Sequence, residues 1–411
     1  MLTKIKNNEN RNLVNFLLFF YLVSYIAGPA VINILITFLS FFSLIYLLKN
    51  RRKIFLVFKY KSSIVFSIFF FYIFLKNILF QEFNLDILSF TRIFTIFFFI
   101  SLFSDIHRDY YDFKIKYFIL IIIIISADTL FQFYYGYNIL GFEKYSNDRL
   151  TSFFDDEPIV GSFIMKLMFP IIIYLYFTTK NIYLILLIIF LSSIAVILSG
   201  ERMPFLQLLF GFFLCFFLFS KINFKSIISL ILISTISIFI LVSQNNVKDR
   251  YTSVFVGLSS LFSDLEKSKN IMSDEHRQYG GVYDYYLNFQ SGLTIWSKNY
   301  VFGNGYRYYK DNCKKILEGS VKEGCSTHPH NIYIELLSDH GIIGFLLFSL
   351  FICSFIIEIL KRSDRKEYFG LLITIILISF PFVTSQSIFS SYYGSIYFFY
   401  FFALKLLINK K

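Results

Sequence analysis

The chain has 411 residues, of which 56% are hydrophobic and 16% charged, and its net charge is +12. This composition excludes an ordinary soluble domain, in which about 25% of residues are charged. The excess of Lys and Arg does not indicate nucleic-acid binding, because most of these residues lie between apolar runs, where membrane topology accounts for them. The sequence therefore predicts an all-α, polytopic membrane protein whose surroundings are membrane lipids.

Apolar runs of roughly 17 to 20 residues, each long enough to cross a bilayer core, predict about twelve transmembrane helices. They cover 13–27, 31–49, 62–80, 89–105, 116–133, 161–178, 182–199, 203–220, 226–243, 341–360, 367–384 and 388–408. Gly28-Pro29 separates the first two, which leaves a re-entrant hairpin as an alternative. Lys76, Arg92 and Lys166 fall inside predicted spans, so each is expected near a helix end or facing the bundle interior.

Lys and Arg concentrate in alternate connecting segments, which favours cytoplasmic N- and C-termini in the bacterial inner membrane. The N-terminal stretch MLTKIKNNENRN has no clear cleavage site and is interpreted as a retained cytoplasmic tail. Two longer connections, about 134–160 and 244–340, then lie on the periplasmic side. The predicted organisation is transmembrane helices 1–9 over 1–243, a large periplasmic loop over 244–340, and transmembrane helices 10–12 over 341–411.

Within the large loop, the pattern predicts helices around 248–267 and 279–298, a glycine turn at 303–305 and a short helix near Cys313. Cys313 and Cys325 are close in sequence there. In an oxidising periplasm they can form a disulfide or remain two free thiols, and the sequence leaves both open.

A short connection between two predicted spans holds Glu201 and Arg202, in the stretch LSGERMPFLQLLF. The predicted topology places this pair at the outer mouth, with Pro204 near the first turn of the returning helix, a favourable position for proline. The pair can be an interfacial anchor. It can also bind a diphosphate, because a guanidinium and the N–H groups of a helix N-terminus both attract an anion.

The large loop contains Arg277 ahead of an aromatic-rich helix and the turn Gly303-Asn304-Gly305. A lone loop arginine is usually solvated, but in this setting it is expected to face a groove on the membrane side. Neighbouring aromatic rings can rest at the lipid headgroup level or stack on sugar rings, and both alternatives stay open. These rings are Tyr283, Tyr285, Tyr286, Trp296, Tyr306, Tyr308 and Tyr309.

The stretch CSTHPHNIYIELLSDHG leads the loop back into the membrane, with His328 and His330 flanking a proline and Asn331 starting a helix. A loop histidine is most often only solvated. A neutral histidine just outside the bilayer is also suited to general base catalysis. A zinc site from Cys325, His328 and His330 lacks a fourth ligand and a recognised spacing.

These motifs resemble a known family. His330-Asn331, followed after nine residues by Gly341 and after two more by Gly344, resembles the signature of the O-antigen ligase and polymerase superfamily. The turn YVFGNGYRYY and the arginine at the outer mouth agree with it. The resemblance implies a fold similar to the GT-C-type membrane glycosyltransferases. It also implies a metal-independent, inverting transfer without a cofactor, from an undecaprenyl-diphosphate-linked glycan donor.

Carried over by position, the resemblance makes Arg202 and Arg277 the diphosphate-binding arginines and His330 the general base or substrate-orienting group. Glu201 has no secure counterpart in the family pattern. The residues expected to bind substrate are Glu201, Arg149, Asn331 and Tyr306. The acidic run Asp155-Asp156-Glu157 is interpreted as a solvated loop rather than a cation site.

The resemblance leaves two acceptors open. A ligase transfers the glycan to lipid A–core, and a polymerase transfers it to another lipid-linked repeat. The histidine motif favours the ligase slightly. A flippase or transporter is the alternative from another class, but the single large loop lacks the paired, inverted halves typical of transporters.

Overall fold

The computed structural model describes residues 17–79, 84–106, 115–218, 245–267, 281–317, 325–361 and 366–408. Over these ranges the regular elements are helices, with two isolated β-bridges beside them. In chain order the helices are α1 (Leu17–Ile26), α2 (Pro29–Lys49), α3 (Lys61–Leu79), α4 (Ile87–Ile106), α5 (Lys116–Tyr135), α6 (Val160–Thr178), α7 (Ile182–Leu198), α8 (Arg202–Leu218), α9 (Asn245–Glu266), α10 (Val282–Trp296), α11 (Tyr308–Leu317), α12 (Ile332–Leu360), α13 (Phe369–Ile378) and α14 (Ser391–Ile408). Short 3₁₀ segments cover Arg51–Lys59, Ser152–Phe154 and Lys366–Tyr368.

Six of the described helices, α2 to α6 and α12, are long and apolar enough to cross a membrane. Four shorter apolar helices, α1, α7, α8 and α13, accompany them. A polytopic, all-α membrane protein is therefore confirmed, while twelve spans and the GT-C likeness stay predictions. The predicted span 226–243 lies outside the described residues. The helices predicted around 248–267 and 279–298 correspond to α9 and α10.

The chain divides into two compact units, each assembled from distant stretches. The first unit comprises Met1–Gly28, Asp112–Thr252 and Ser363–Phe380, and the second comprises Pro29–Tyr111, Ser253–Arg362 and Pro381–Lys411. Because both units interleave along the sequence, neither corresponds to one block of the predicted three-part organisation. That organisation describes membrane topology and stays a prediction.

Helix α6 is the core of the first unit and packs against α5, α7, α8 and α13. Two glycines allow this close packing, since a Cβ on Gly211 would lie 2.1 Å from the Phe169 ring and one on Gly370 would lie 2.5 Å from the Phe169 carbonyl oxygen. Pro170 lies inside α6 and removes the backbone bond to the Lys166 carbonyl. The Thr374 hydroxyl donates to that carbonyl at 3.2 Å, which satisfies it where lipid offers no donor.

Closely packed phenylalanine rings lie in the core of the second unit. Phe66 of α3 lies 4.6 Å from Phe97 of α4 and 4.7 Å from Phe351 of α12, measured between ring centroids. A charge pair joins α12 to α14, with the buried Lys405 Nζ 3.6 Å from a carboxylate oxygen of the partly buried Glu358. Ser62 donates its backbone N–H and its hydroxyl to Glu358, so the protein supplies hydrogen bonds to this carboxylate.

Helix α12 breaks at Gly341, whose φ of 65° lies in the left-handed region. The turn at 300–305 fills the break. Its N–H groups at Asn304 and Gly305 donate to the carbonyls of Ser338 and Asp339, and its own carbonyls accept from Ile342 and Ile343. A Cβ on Gly303 would lie 2.2 Å from the Gly341 nitrogen, so both positions require glycine for this contact. The glycine spacing of the motif is thus a packing requirement.

The predicted span 367–384 is wrong in its second half, because α13 ends at Ile378. Pro381 has no N–H to donate and disfavours helical geometry in the residue before it. The following backbone bonds elsewhere within the second unit: the Asn331 amide donates to the Pro381 carbonyl at 2.6 Å, and Ser385 N–H donates to the His330 carbonyl at 2.8 Å. The segment 381–390 is therefore a non-helical support for the histidine motif.

Candidate functional site

In the first unit, Glu201 closes the N-terminus of α6. Its carboxylate accepts the N–H of Gly161 at 2.6 Å and that of Ser162 at 3.2 Å, and the side chain is buried. Burial raises the pKa of Glu201 to about 7, although the nearby Arg149 charge and the Gly161 N–H favour the ionised form. A carboxylate at a helix N-terminus is stabilised by the orphan N–H groups. The position predicted to bind substrate thus also has a structural task.

Arg202 begins α8 and forms part of a clamp on the backbone. Its Nε donates to the Arg250 carbonyl at 3.0 Å, and Arg250 Nε donates to the Gly200 carbonyl at 3.2 Å. Asp148 completes the arrangement through an ion pair of 2.9 Å with Arg250. Gly200 has a φ of 72°, and a Cβ there would lie 2.0 Å from the Asp148 carbonyl oxygen. The clamp fixes where the Arg202 side chain leaves the backbone.

Arg149 lies in the same unit, on the connection between α5 and α6. One terminal nitrogen donates to the Pro158 carbonyl at 3.1 Å, and the guanidinium lies over the Tyr145 ring, 5.6 Å from its centroid. Its Nε is buried and has no hydrogen-bond partner among the described residues. The first unit therefore holds three of the predicted residues, Glu201, Arg202 and Arg149, in one electrostatic neighbourhood around the start of α6 and α8.

In the second unit, His330 is the centre of the histidine motif. It has a φ of 54°, a left-handed conformation that is unusual for a residue with a side chain. The Tyr285 ring meets its imidazole edge-on, with 5.5 Å between centroids. Within the described residues, the His330 ring nitrogens make no hydrogen bond. Burial lowers the pKa of His330, against the opposing charge of Asp284, so the ring is neutral at neutral pH.

His328 stands beside His330, with 4.3 Å between ring centroids. Its Nε2 lies 3.0 Å from the Ser385 carbonyl oxygen, which can only accept, so Nε2 carries the proton. Its Nδ1 then accepts from the Thr327 hydroxyl at 3.0 Å. Burial and the neighbouring His330 lower the pKa of His328 to about 3. Both nitrogens of His328 are occupied by the protein, whereas those of His330 are not.

Asn331 caps α12. Its side-chain oxygen accepts the N–H groups of Tyr333 and Ile334, and its amide donates to the Pro381 carbonyl. Asparagine is a preferred N-cap because its side chain satisfies orphan helix donors. Its conformation is therefore determined by the backbone on both sides. The residue predicted to bind substrate holds His330 in place directly before the helix.

Tyr306 is 1% exposed, and its ring packs against His340 and Phe389. The residue after it, Arg307, pairs with Asp86 at 2.6 Å, and Lys310 pairs with the same carboxylate at 3.2 Å. The burial gives Tyr306 a packing role in this structure. Sequence reasoning did not single out Asp86 or Arg307, since their partnership joins residues far apart in the chain.

Cys313 and Cys325 are joined by a disulfide, which settles the alternative that the sequence left open. The bridge packs with Ile295 and Tyr309, so it ties α11 and the start of the histidine motif to α10. The zinc alternative therefore loses the Cys325 thiolate. Over the ranges that the structure describes, no group of three or more His, Cys, Asp and Glu side chains is placed to hold a metal ion. Arg277 lies outside the described residues.

The structure thus brings His328, His330 and Asn331 together with Tyr285 and Ser385. The contribution of Ser385 had no sequence signal, because the sequence predicted only a short connection there, between the spans 367–384 and 388–408. A neutral imidazole without a protein partner can accept a proton from a bound hydroxyl group. A guanidinium at a helix start can stabilise a phosphate.

Comparison with known proteins agrees with the motif. A family model described as O-antigen ligase matches residues 187–349, a region that contains Arg202, Arg277 and His330. No curated protein matches the chain. The match implies a membrane enzyme of the glycosyltransferase kind, either a ligase or a polymerase. The resemblance to the O-antigen ligase and polymerase superfamily seen in the sequence is confirmed over residues 187–349, which are less than half of the chain.

Proposed function

We propose that the protein is an O-antigen ligase-type glycosyltransferase, which transfers an undecaprenyl-diphosphate-linked O-antigen or related polysaccharide to lipid A–core. The observation that carries the proposal is the His330 imidazole. It is neutral, it has no hydrogen-bond partner among the described residues, and it lies in the region matched by the O-antigen ligase model. The slight preference for the ligase over the polymerase comes from the histidine motif of the sequence.

The proposed chemistry requires two tasks of the protein. An acceptor hydroxyl attacks the anomeric carbon of the donor sugar with inversion, and the bond to the lipid diphosphate breaks. His330 takes the proton of the attacking hydroxyl. Arg202 and Arg277 stabilise the charge that grows on the departing diphosphate, because guanidinium groups stay ionised and bind phosphate through two parallel bonds. No metal or cofactor is part of this proposal.

The test is complementation of a strain that lacks the native gene. His330→Ala should abolish the ladder of polymer-bearing lipid on a gel and leave the lipid-linked donor to accumulate, since a lost general base costs about 10²–10⁴ in rate. His328→Ala is the matched control. It removes the hydrogen bonds to the Ser385 carbonyl and the Thr327 hydroxyl but not the proposed base, so the ladder should weaken much less than in His330→Ala. A wild-type ladder from His330→Ala at normal membrane levels would falsify the assignment.

The same strain separates the two acceptors. A ligase defect leaves long polymer on the carrier lipid, whereas a polymerase defect leaves single repeat units there. Accumulation of single repeats in the His330→Ala strain would replace the ligase with the polymerase. If the lengths of the lipid-linked glycans were unchanged but the repeat units stayed on the cytoplasmic side, a flippase would be favoured.

The proposed location is the inner membrane, with 244–340 in the periplasm and both termini in the cytoplasm. The supporting observation is the concentration of Lys and Arg in alternate connections. Alkaline phosphatase fused after Asn246 should be active, and the same enzyme fused after Ser363 should be inactive. Activity only after Ser363 would invert the topology and remove His330 from the periplasmic side.

A further inference from the structure

Arg92 lies in α4, inside a helix long and apolar enough to span the membrane. One terminal nitrogen donates to the Thr37 hydroxyl at 2.6 Å, and its Nε is buried without a hydrogen-bond partner. Among the described residues, no carboxylate pairs with this guanidinium. An uncompensated charge at membrane depth is costly, so such residues commonly mark a binding site. Arg92 therefore needs an anion that the described chain does not supply.

A groove runs along the exposed face of α2 beside this arginine. It is shallow and open, with a volume of about 700 Å³, and of the residues that the structure describes only those of α2 line it, namely Asn33, Ile34, Thr37, Phe38, Phe41, Phe42 and Ile45. The apolar lining residues are strongly exposed, with Ile34 at 72% and Phe38 at 69%. The Asn33 side-chain oxygen is buried and has no hydrogen-bond partner among the described residues. The two polar lining residues, Asn33 and Thr37, thus lie in the N-terminal part of a stripe that is otherwise apolar.

The dimensions of the groove match one lipid chain. Asn33 to Ile45 spans about 18 Å at the helical rise. One leaflet of the hydrocarbon core is about 15 Å thick. Thr37 and Arg92 lie within about 12 Å of the starts of α2 and α4, at a depth from which a long arginine side chain reaches the headgroup level.

We propose that this groove binds an anionic membrane phospholipid, with its phosphate on the Arg92 guanidinium and one acyl chain along Ile34, Phe38, Phe41 and Ile45. The charge of Arg92 selects an anionic headgroup, and the Asn33 side-chain oxygen can accept a hydrogen bond from a headgroup hydroxyl beside it. The length of the groove favours an acyl chain over a polyprenyl chain, which is several times longer than one leaflet. The site is independent of the proposed glycan transfer.

The experiment is native mass spectrometry of the delipidated full chain, titrated with phosphatidylglycerol or with phosphatidylcholine of the same acyl chains. The wild-type protein should bind one phosphatidylglycerol about tenfold more tightly than phosphatidylcholine, because the choline cation offsets the phosphate charge that Arg92 binds. Arg92→Gln should lose that preference, and Arg92→Lys should retain part of it. Arg51→Gln is the matched control, because it removes an exposed charge just beyond the other end of α2.

Equal phosphatidylglycerol preference in Arg92→Gln and wild type would overturn the proposal. Undecaprenyl phosphate serves as the competing probe. One outcome is that undecaprenyl phosphate displaces phosphatidylglycerol from the wild type at a lower concentration than competing phospholipid does, and loses that advantage in Arg92→Gln. In that case the site belongs to the carrier lipid and the proposal fails. If Arg92→Gln does not fold, Thr37→Val, which removes the hydroxyl partner of the guanidinium, should weaken phosphatidylglycerol binding several-fold, and no change there would contradict the site.

Discussion

The two units treat their polar residues differently. In the first unit, Glu201, Arg202 and Arg250 bond to backbone groups, and Arg250 also pairs with Asp148, so the charges hold the connections between helices in place. In the second unit, the backbone of His330 is held from both sides while its ring stays without a hydrogen bond among the described residues. In the first unit, charged side chains fix the backbone. In the second unit, the backbone fixes the position of the His330 side chain.

This difference distinguishes residues that stabilise the fold from residues that are available to react with a substrate. A buried charge with protein partners is expensive to remove, but its loss acts through stability. A side chain whose bonding capacity is left open can be removed at small structural cost, and its loss acts on a substrate. Arg202 lies between these cases, since one nitrogen is committed to the Arg250 carbonyl while the residue also begins a helix.

The largest effect is expected for Arg202, and it tests whether this residue acts on the fold or on the substrate. Arg202→Lys keeps a positive charge but loses both the Nε bond to the Arg250 carbonyl and the planar fork that binds phosphate. Glycan transfer should fall by about 10²-fold or more, the loss typical of one charge-stabilising donor. Arg250→Lys, which can keep its ion pair with Asp148, is the comparison and should retain more transfer. Complementation ladders at matched membrane levels measure both. Equal transfer by Arg202→Lys and wild type would place Arg202 among the structural charges.

The disulfide provides the second test, on the rigidity of the second unit. In a background where Cys215 and Cys353 are replaced by alanine, maleimide should label the protein only after reduction. Cys313→Ser should lower the free energy of unfolding by about 2–4 kcal/mol, because the short loop is no longer closed in the unfolded chain. The readout is thermal unfolding in detergent. An unchanged Tm would show that the contacts of α10 and α11 alone hold the motif.

The smallest expected effect concerns Glu201 and pH. The folded protein holds the Glu201 proton more tightly than the unfolded chain does, so the free energy of unfolding should fall as pH rises from about 4.5 to about 7 and then level off. Glu201→Gln keeps an acceptor for the Gly161 N–H and should flatten that dependence, a change of a few degrees in Tm. The exposed Glu143→Gln is the control and should follow wild type. Identical pH profiles for Glu201→Gln and wild type would mean that Glu201 does not titrate in this range.

The local pattern predicted many of the helices correctly. Apolar runs gave the positions of α2 to α6, and the aromatic-rich loop stretch gave α10, because helix length and periodicity are local properties. Lys76 and Lys166 face the interior, as expected of charges within spans. The error at 367–384 arose from the same apolar rule, which cannot register that Asn331 and His330 bond the backbone at Pro381 and Ser385.

The sequence by itself determined that the chain spans a membrane, that its helices follow the apolar runs, and that the motif from His330 to Gly344 carries the family resemblance. These properties depend on composition and on residues close together in the chain. The tertiary structure alone decided that Gly303 and Gly341 meet, that Cys313 bonds Cys325, that Glu201 caps α6, and that His328 is occupied while the His330 ring is not. Each of these depends on which distant backbone groups reach a side chain, and only the packing of helices determines those distances.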